Sequence, residues 1–147
     1  MNVHEYQAKE ILAKSGVSVQ RGITASDKDQ AVNAAIKLTE ETGTKIHVIK
    51  AQVHAGGRGK GGGIKLAKSI EEVESISDKI IGMNLVTPQT PPEGKKVNLV
   101  LIAEDVYYPG DSDTEEFYVS VLLNRSTGKN MIMYSPEGGM DLSLIHI

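Results

Sequence analysis

Apolar residues in this chain recur in short runs whose spacing changes from one segment to the next, and each change marks a predicted element. The first run is helical: Asn2 stands where an N-cap would, Glu5 follows at capping-box distance, and Tyr6, Ile11 and Leu12 share one face before Gly16 stops the helix. Val17 to Thr24 carries apolar residues at alternate positions, Val17, Val19 and Ile23, and predicts a short strand. From Ser26, with Asp29 three residues on, the period returns to that of a helix, with Ala31, Val32, Ala35, Ile36 and Leu38 on one face and Gly43 at its end. Lys45 to Val53 is rich in β-branched residues and too short for a helix, so it predicts a buried strand.

A glycine-rich stretch follows, then an extended segment from Ile64 to Ala67. Ser69 and Glu72 next open a third helix, carried by Val73, Ile76, Ile80 and Ile81 and closed by Gly82. Three prolines and Gly94 make Thr87 to Gly94 a loop, after which Val97 to Ala103 is again a strand. Glu116 to Asn124 and Asn130 to Ser135 are strand-like and joined through Arg125-Ser126-Thr127-Gly128, as in a hairpin. Strands and helices that alternate in this way predict an α/β (α+β) fold of βαβ units with an appended β-hairpin.

Composition narrows the functions open to such a fold. At 147 residues with 39% hydrophobic content, one compact domain is expected. The formal net charge of −3 supplies no general attraction to nucleic acid or to an anionic membrane, so neither is an expected partner and a bound polyanion must be held locally. Cysteine is absent, which excludes disulfides and thiolate metal sites and fits a reducing compartment. The start, Met1-Asn2-Val3-His4-Glu5-Tyr6, has neither the basic nor the apolar region of a secretion signal, and no run approaches the roughly 20 apolar residues of a membrane span. A soluble, cytoplasmic protein is expected.

The candidate chemistry lies in His54-Ala55-Gly56-Gly57-Arg58-Gly59-Lys60-Gly61-Gly62-Gly63, between two predicted strands. Glycine lets a backbone approach a ligand closely and turn its N–H groups inward, and Arg58 and Lys60 add fixed positive charge, the ingredients of a phosphate cradle. Better-known loops do not fit. A P-loop needs Ser or Thr after Gly-Lys, and here Gly59-Lys60 is followed by Gly61. Gly57-x-Gly59-x-x-Gly62 has the spacing of a dinucleotide fingerprint but leads into the extended Ile64–Ala67 instead of a helix. RNA-binding Arg-Gly segments recur and carry aromatic residues, whereas this one occurs once, in a chain with 4% aromatic content. A surface linker with no ligand is the bland alternative. A glycine-rich hairpin remains, a flap able to close over the phosphates of a nucleotide.

Four stretches, taken together, resemble the succinate-CoA ligase (succinyl-CoA synthetase) β subunit family of the ATP-grasp superfamily, in its amino-terminal part. They are Met1-Asn2-Val3-His4-Glu5-Tyr6-Gln7-Ala8-Lys9, the run from Lys50 to Lys60, Leu101-Ile102-Ala103-Glu104, and Glu116-Phe117-Tyr118 leading to Asn124-Arg125-Ser126 and Glu137-Gly138-Gly139. The resemblance implies a partial ATP-grasp nucleotide-binding domain over residues 1–142, with the glycine-rich hairpin as its flap. It further implies that Lys50 reaches the nucleotide from beneath the flap, that Gly57, Arg58 and Gly59 contact phosphates, that Glu104 and Tyr107 lie beside the purine, and that Glu116 accepts hydrogen bonds from the ribose hydroxyls. The implied reaction couples succinate, CoA and ATP or GTP to succinyl-CoA, nucleoside diphosphate and phosphate in the tricarboxylic acid cycle, in a heteromer with an α subunit that carries the phosphorylated histidine.

On the same resemblance, the magnesium ligands belong to the second half of the module, so no catalytic or metal-binding residue is expected within this stretch, and alone it is expected to be inactive. Gln20 lies near the base side, but a side-chain amide reads either purine by flipping, so ATP and GTP stay open. Residues 143–147, Ser143-Leu144-Ile145-His146-Ile147, do not continue the family pattern and are expected to be a truncated or non-native tail. A related dicarboxylate-CoA ligase, such as one acting on malate, a non-catalytic nucleotide-binding module and a nucleic-acid-binding module are the alternatives.

Overall fold

The computed structural model describes residues 2–107 and 113–136. The chain divides into two compact units, Met1–Val106 and Tyr107–Ile147, and each is described by itself. The segment 108–112, Glu137-Gly138-Gly139 and the tail 143–147 lie outside the described residues. Among the described residues no helix is long and apolar enough to cross a membrane.

The first unit runs α1 (Glu5–Lys14), β1 (Gly22–Ala25), α2 (Lys28–Thr42), β2 (His47–Ala51), β3 (Ile64–Ala67), α3 (Ile70–Ile80), β4 (Asn84–Leu85), β5 (Lys95–Lys96) and β6 (Val100–Glu104). Four of the strands form a sheet in the order β1-β6-β2-β3, and β4 pairs with β5. Every pairing in the sheet is antiparallel: Ile23 faces Ile102, Ile49 faces Ile102 from the other side, and Val48 faces Leu66. The βαβ units expected from the sequence are therefore split. β1 and β2 run parallel with β6 inserted between them, and β3 and β6 run parallel with β2 between them.

Both sheet faces are covered. Ala31, Ala34, Ala35 and Leu38 of α2, with Val73 and Ile80 of α3, pack against Ile49, Ala51, Val100 and Ile102. Each large side chain so buried contributes about 1.5–3 kcal/mol. On the opposite face Val48, Leu101 and Ala103 are covered by Tyr6 of α1 and by Ile64.

The helix faces correct the sequence expectation in detail. In α2 the buried stripe is Ala31, Ala34, Ala35 and Leu38, while Ile36 is 43% exposed, because the α-helical period places it a quarter turn outside that stripe. In α1 only Tyr6 of the expected trio packs on the sheet. Ile11 and Leu12 are 56% and 45% exposed, since the inward side is that of Tyr6, Lys9, Glu10 and Ala13. The caps shift as well. His4, not Asn2, caps α1, with the Gln7 carboxamide accepting from its N–H at 2.8 Å, and Asp27 rather than Ser26 caps α2, accepting from the Gln30 N–H at 2.8 Å. Ser69 caps α3 as expected. Gly16, at φ +81°, closes α1 through paired bonds, its own N–H to Ala13 and that of Val17 to Leu12.

The strand expected over Val17 to Thr24 is shorter and later, Gly22–Ala25. Its ladder with β6 ends where side chains take over: the Glu104 carboxylate accepts from the Arg21 N–H at 2.8 Å, and the Gln20 carboxamide donates to the Glu104 carbonyl at 2.5 Å.

The second unit contains the expected hairpin, β7 (Tyr118–Asn124) and β8 (Lys129–Ser135), turning at Gly128. Asn124 shapes the turn, its side-chain oxygen accepting from the Ser126 N–H at 3.1 Å and the Ser126 hydroxyl at 2.7 Å. One face of the hairpin is apolar and open: Val119, Val121, Leu123, Ile132 and Tyr134 are each more than three-fifths exposed.

Candidate functional site

The glycine-rich stretch is the connection between β2 and β3, which pair directly, so it is a hairpin loop rising from two adjacent strands. It has internal structure. The N–H groups of Gly61, Gly62 and Gly63 donate to the carbonyls of Gly57, Gly59 and Arg58, and Ala51 donates to Gly63 at 2.7 Å, which extends the ladder by one step. The last glycines thus close the loop on itself. A second loop supports the first. Gln89 accepts from the Gly56 N–H at 2.8 Å, Lys95 donates to the His54 carbonyl at 2.6 Å, and Gly61 lies so close to Val86 that a Cβ there would run into its carbonyl oxygen.

Beneath the loop, Glu5, Lys9, Lys50 and Arg58 converge, with side chains only 18–20% exposed. Lys50 reaches the site because it occupies the α1-facing side of β2, and Arg58 folds back from the loop to donate to the Ala51 carbonyl at 2.8 Å. One Glu5 oxygen accepts from Lys50 at 3.1 Å and Lys9 at 3.2 Å, and the other accepts from Arg58 at 2.8 Å and from the Gln52 carboxamide at 3.4 Å. Gln20 ties the lysines together, accepting from Lys9 at 2.8 Å and Lys50 at 2.9 Å while its amide holds the end of β6.

Three cations and one carboxylate leave the cluster with two formal positive charges. Burial pushes the Glu5 carboxyl up, but Lys50, Arg58 and Lys9 outweigh it and hold the group at about 2, so Glu5 is an anion at any physiological pH. Burial and the nearby Lys50 depress the Lys9 ammonium, with Glu5 acting against them. Lys9 and Gln20 also line a cleft of about 410 Å³ between α1 and β1, shared with Tyr6, Arg21, Glu41 and Leu101, which opens the cluster to a solute on that side. At the loop's entrance His4 stacks on His54 with ring centroids 3.9 Å apart. Burial, then the neighbouring His54 and Arg58, hold the His4 imidazole below its ordinary range.

Of the residues singled out in the sequence, Lys50 and Arg58 meet on one carboxylate, while Glu104 reaches them only through its backbone carbonyl on Gln20, its carboxylate accepting from the Arg21 N–H. Gly57 and Gly59 are in the loop directly above. Tyr107 and Glu116 belong to the second unit, where both are exposed and Glu116 precedes β7. Glu5 and Lys9 were not anticipated as site residues. Within the resembling stretch Met1–Lys9, Glu5 reads as a capping-box acid and the pair as an i,i+4 spacing of opposite charges on a short helix, both ordinary helix support.

Known proteins match this sequence closely. A family described as ATP-grasp domain matches residues 2–146. The succinate--CoA ligase (ADP-forming) subunit beta of Flavobacterium johnsoniae is 72% identical over 142 residues, 97% of this chain and 36% of the relative. The subunit of the same name from Christiangramia forsetii is 68% identical over 145 residues, 99% of this chain and again 36% of the relative. The chain thus spans little more than a third of these relatives' length. A solved structure of a dinucleotide-forming acetyl-coenzyme A synthetase 1 from Ca. Korarchaeum cryptofilum, in complex with coenzyme A, Ca-AMPCP and HgCl+, superposes with a TM-score of 0.63 at 22% identity, covering 90% of this chain and 52% of that one, and so shares the fold. By sequence over nearly its whole length, this chain belongs to the ATP-grasp domain family.

Proposed function

We propose that this chain is the nucleotide-binding portion of the β subunit of a succinate-CoA ligase, which works in a cytoplasmic heteromer with an α subunit and couples succinate, CoA and a nucleoside triphosphate to succinyl-CoA, nucleoside diphosphate and phosphate. The observation that carries the nucleotide part is the cluster itself: two net positive charges, partly shielded from water, under a loop whose glycines permit close approach. Polyphosphate is the ligand that such a site suits, because a cation fixed in a poorly solvated place attracts phosphate oxygens more strongly than one in bulk water. ATP is favoured over GTP by the ADP-forming name of the relatives, and succinate is favoured over other dicarboxylates by the same names.

Lys50 and Arg58 would meet phosphate oxygens, Gly57 and Gly59 would offer backbone N–H groups, and Glu104, Tyr107 and Glu116 would serve the nucleoside. Both units would then be parts of one ATP-grasp module. Magnesium would arrive with the nucleotide, and this portion would contribute its cations and its loop. The test is a calorimetric titration of the intact protein with MgATP and MgGTP, beside Arg58→Ala and Lys50→Met variants of confirmed stability. Saturable binding, tighter for ATP and weakened at least tenfold in each variant, supports the proposal; unchanged affinity in both variants rejects it.

A further inference from the structure

Glu5 presents a problem of sign. A carboxylate in the middle of a site for a polyanion repels the ligand, and at the distances of this cluster that repulsion is not fully screened. Yet among the described residues Glu5 is the one group that touches all three cations, two on one oxygen and Arg58 on the other. Those cations come from three separate places in the chain: Lys9 from α1, Lys50 from β2 and Arg58 from the loop. Without a shared anion they repel one another, and Arg58 keeps only its bond to the Ala51 carbonyl.

We propose that Glu5 is a positioning residue for phosphate binding: it holds Lys9, Lys50 and Arg58 in one converging set, and this placement outweighs its repulsion of the ligand. The proposal rests on the nucleotide reading above and deepens it. The physical basis is preorganisation. Three long side chains that must be gathered when the ligand arrives lose conformational freedom at that moment, whereas side chains already gathered do not. Placing the gathering residue on α1, which has no buried residue, also ties that helix to the phosphate loop through charge rather than apolar packing.

The experiment is titration of the intact protein, wild type, Glu5→Gln and Glu5→Asp, with MgATP, tripolyphosphate and adenosine, after thermal melts have set conditions in which each is folded. Simple electrostatics predicts that Glu5→Gln binds both phosphates more tightly, since a negative charge is gone. Positioning predicts the opposite: affinity for MgATP and tripolyphosphate falls about tenfold and that for adenosine stays within about twofold. Glu5→Asp, which keeps the charge but is one methylene too short to span all three cations, falls between. Equal or tighter phosphate binding by Glu5→Gln overturns the proposal while leaving the nucleotide reading intact. Failure of the wild-type protein to bind either phosphate overturns both.

Discussion

Three neighbouring glycines in the glycine-rich loop permit the same substitution to be made for three different physical reasons. At Gly61 the backbone is ordinary but the space is not: an added Cβ would meet the Val86 carbonyl oxygen and come within 3.0 Å of Leu85 and 3.2 Å of Thr87. Gly61→Ala must push the loop off its support and is expected to cost about 1–3 kcal/mol, as overpacking does. At Gly62 the space is open but φ is +80°, so Gly62→Ala is expected to cost about 1–2 kcal/mol through the left-handed backbone alone. Gly59 has neither constraint. Nothing lies within 4 Å of its would-be Cβ and its φ is not positive, so Gly59→Ala is expected to leave the fold as stable or to gain about 0.4–1 kcal/mol by restricting the unfolded chain. The fold gives no reason for glycine at 59, and on the proposed function the reason is a ligand that needs bare backbone. Gly59→Ala is therefore expected to weaken MgATP binding on the order of tenfold, about 1.4 kcal/mol, at undiminished stability. Urea denaturation and calorimetric titration of the same preparations provide both readings. A loss of stability at Gly59→Ala as large as at Gly61→Ala would refute the loop geometry, and full stability with full affinity would refute the close approach of a ligand at 59.

Other perturbations test the core, the histidines and the hairpin. Leu38→Ala, at a side chain 1% exposed in the packed face of α2, is expected to cost about 2–5 kcal/mol, whereas Ile36→Ala, 43% exposed on the same helix, is expected to stay within about 0.5 kcal/mol by chemical denaturation. Burial holds the His4 and His47 imidazoles below their ordinary 6.5, and the Nδ1 atom of each is buried without a hydrogen-bond partner, so the unfolded chain takes up protons first on acidification. Stability is then complete above about pH 6.5 and declines as the pH falls toward the lower folded-state values, while the Glu5 contribution persists until the pH drops below 4.5 and fades toward about 2; melting temperatures across that range check both windows. Replacing Val121 and Ile132, cross-strand partners 66% and 73% exposed, by threonine is expected to reduce concentration-dependent association in light scattering without unfolding the hairpin.

What could be read from the sequence was what neighbouring residues decide. Ser69 with Glu72, the Gly16 and Gly43 stops, and the Gly128 turn are local devices, and each is where its motif places it. Where two local devices compete, spacing alone does not choose between them: Asp27 takes the cap of α2 and leaves the neighbouring Ser26 to the Gln30 side chain. The strand order was beyond reach, because β1 and β2 each pair with a strand that lies far along the chain. Glu5 was hidden for the same reason. Its partners Lys50 and Arg58 are 45 and 53 residues away, and nothing in the helix around it announces them.

The split crossovers have a consequence for how the first unit comes into being. β6 is its last strand in sequence and sits between β1 and β2, so on a growing chain β1 has no strand partner and β2 has only β3 until Val100–Glu104 has emerged. The four-stranded sheet cannot be complete before then, and the same strand carries Glu104 to Gln20 and Arg21. A nascent chain halted before residue 100 would have its glycine-rich loop and the lysines of the cluster synthesised, but β1 and β2 would lack the five-residue strand that joins them.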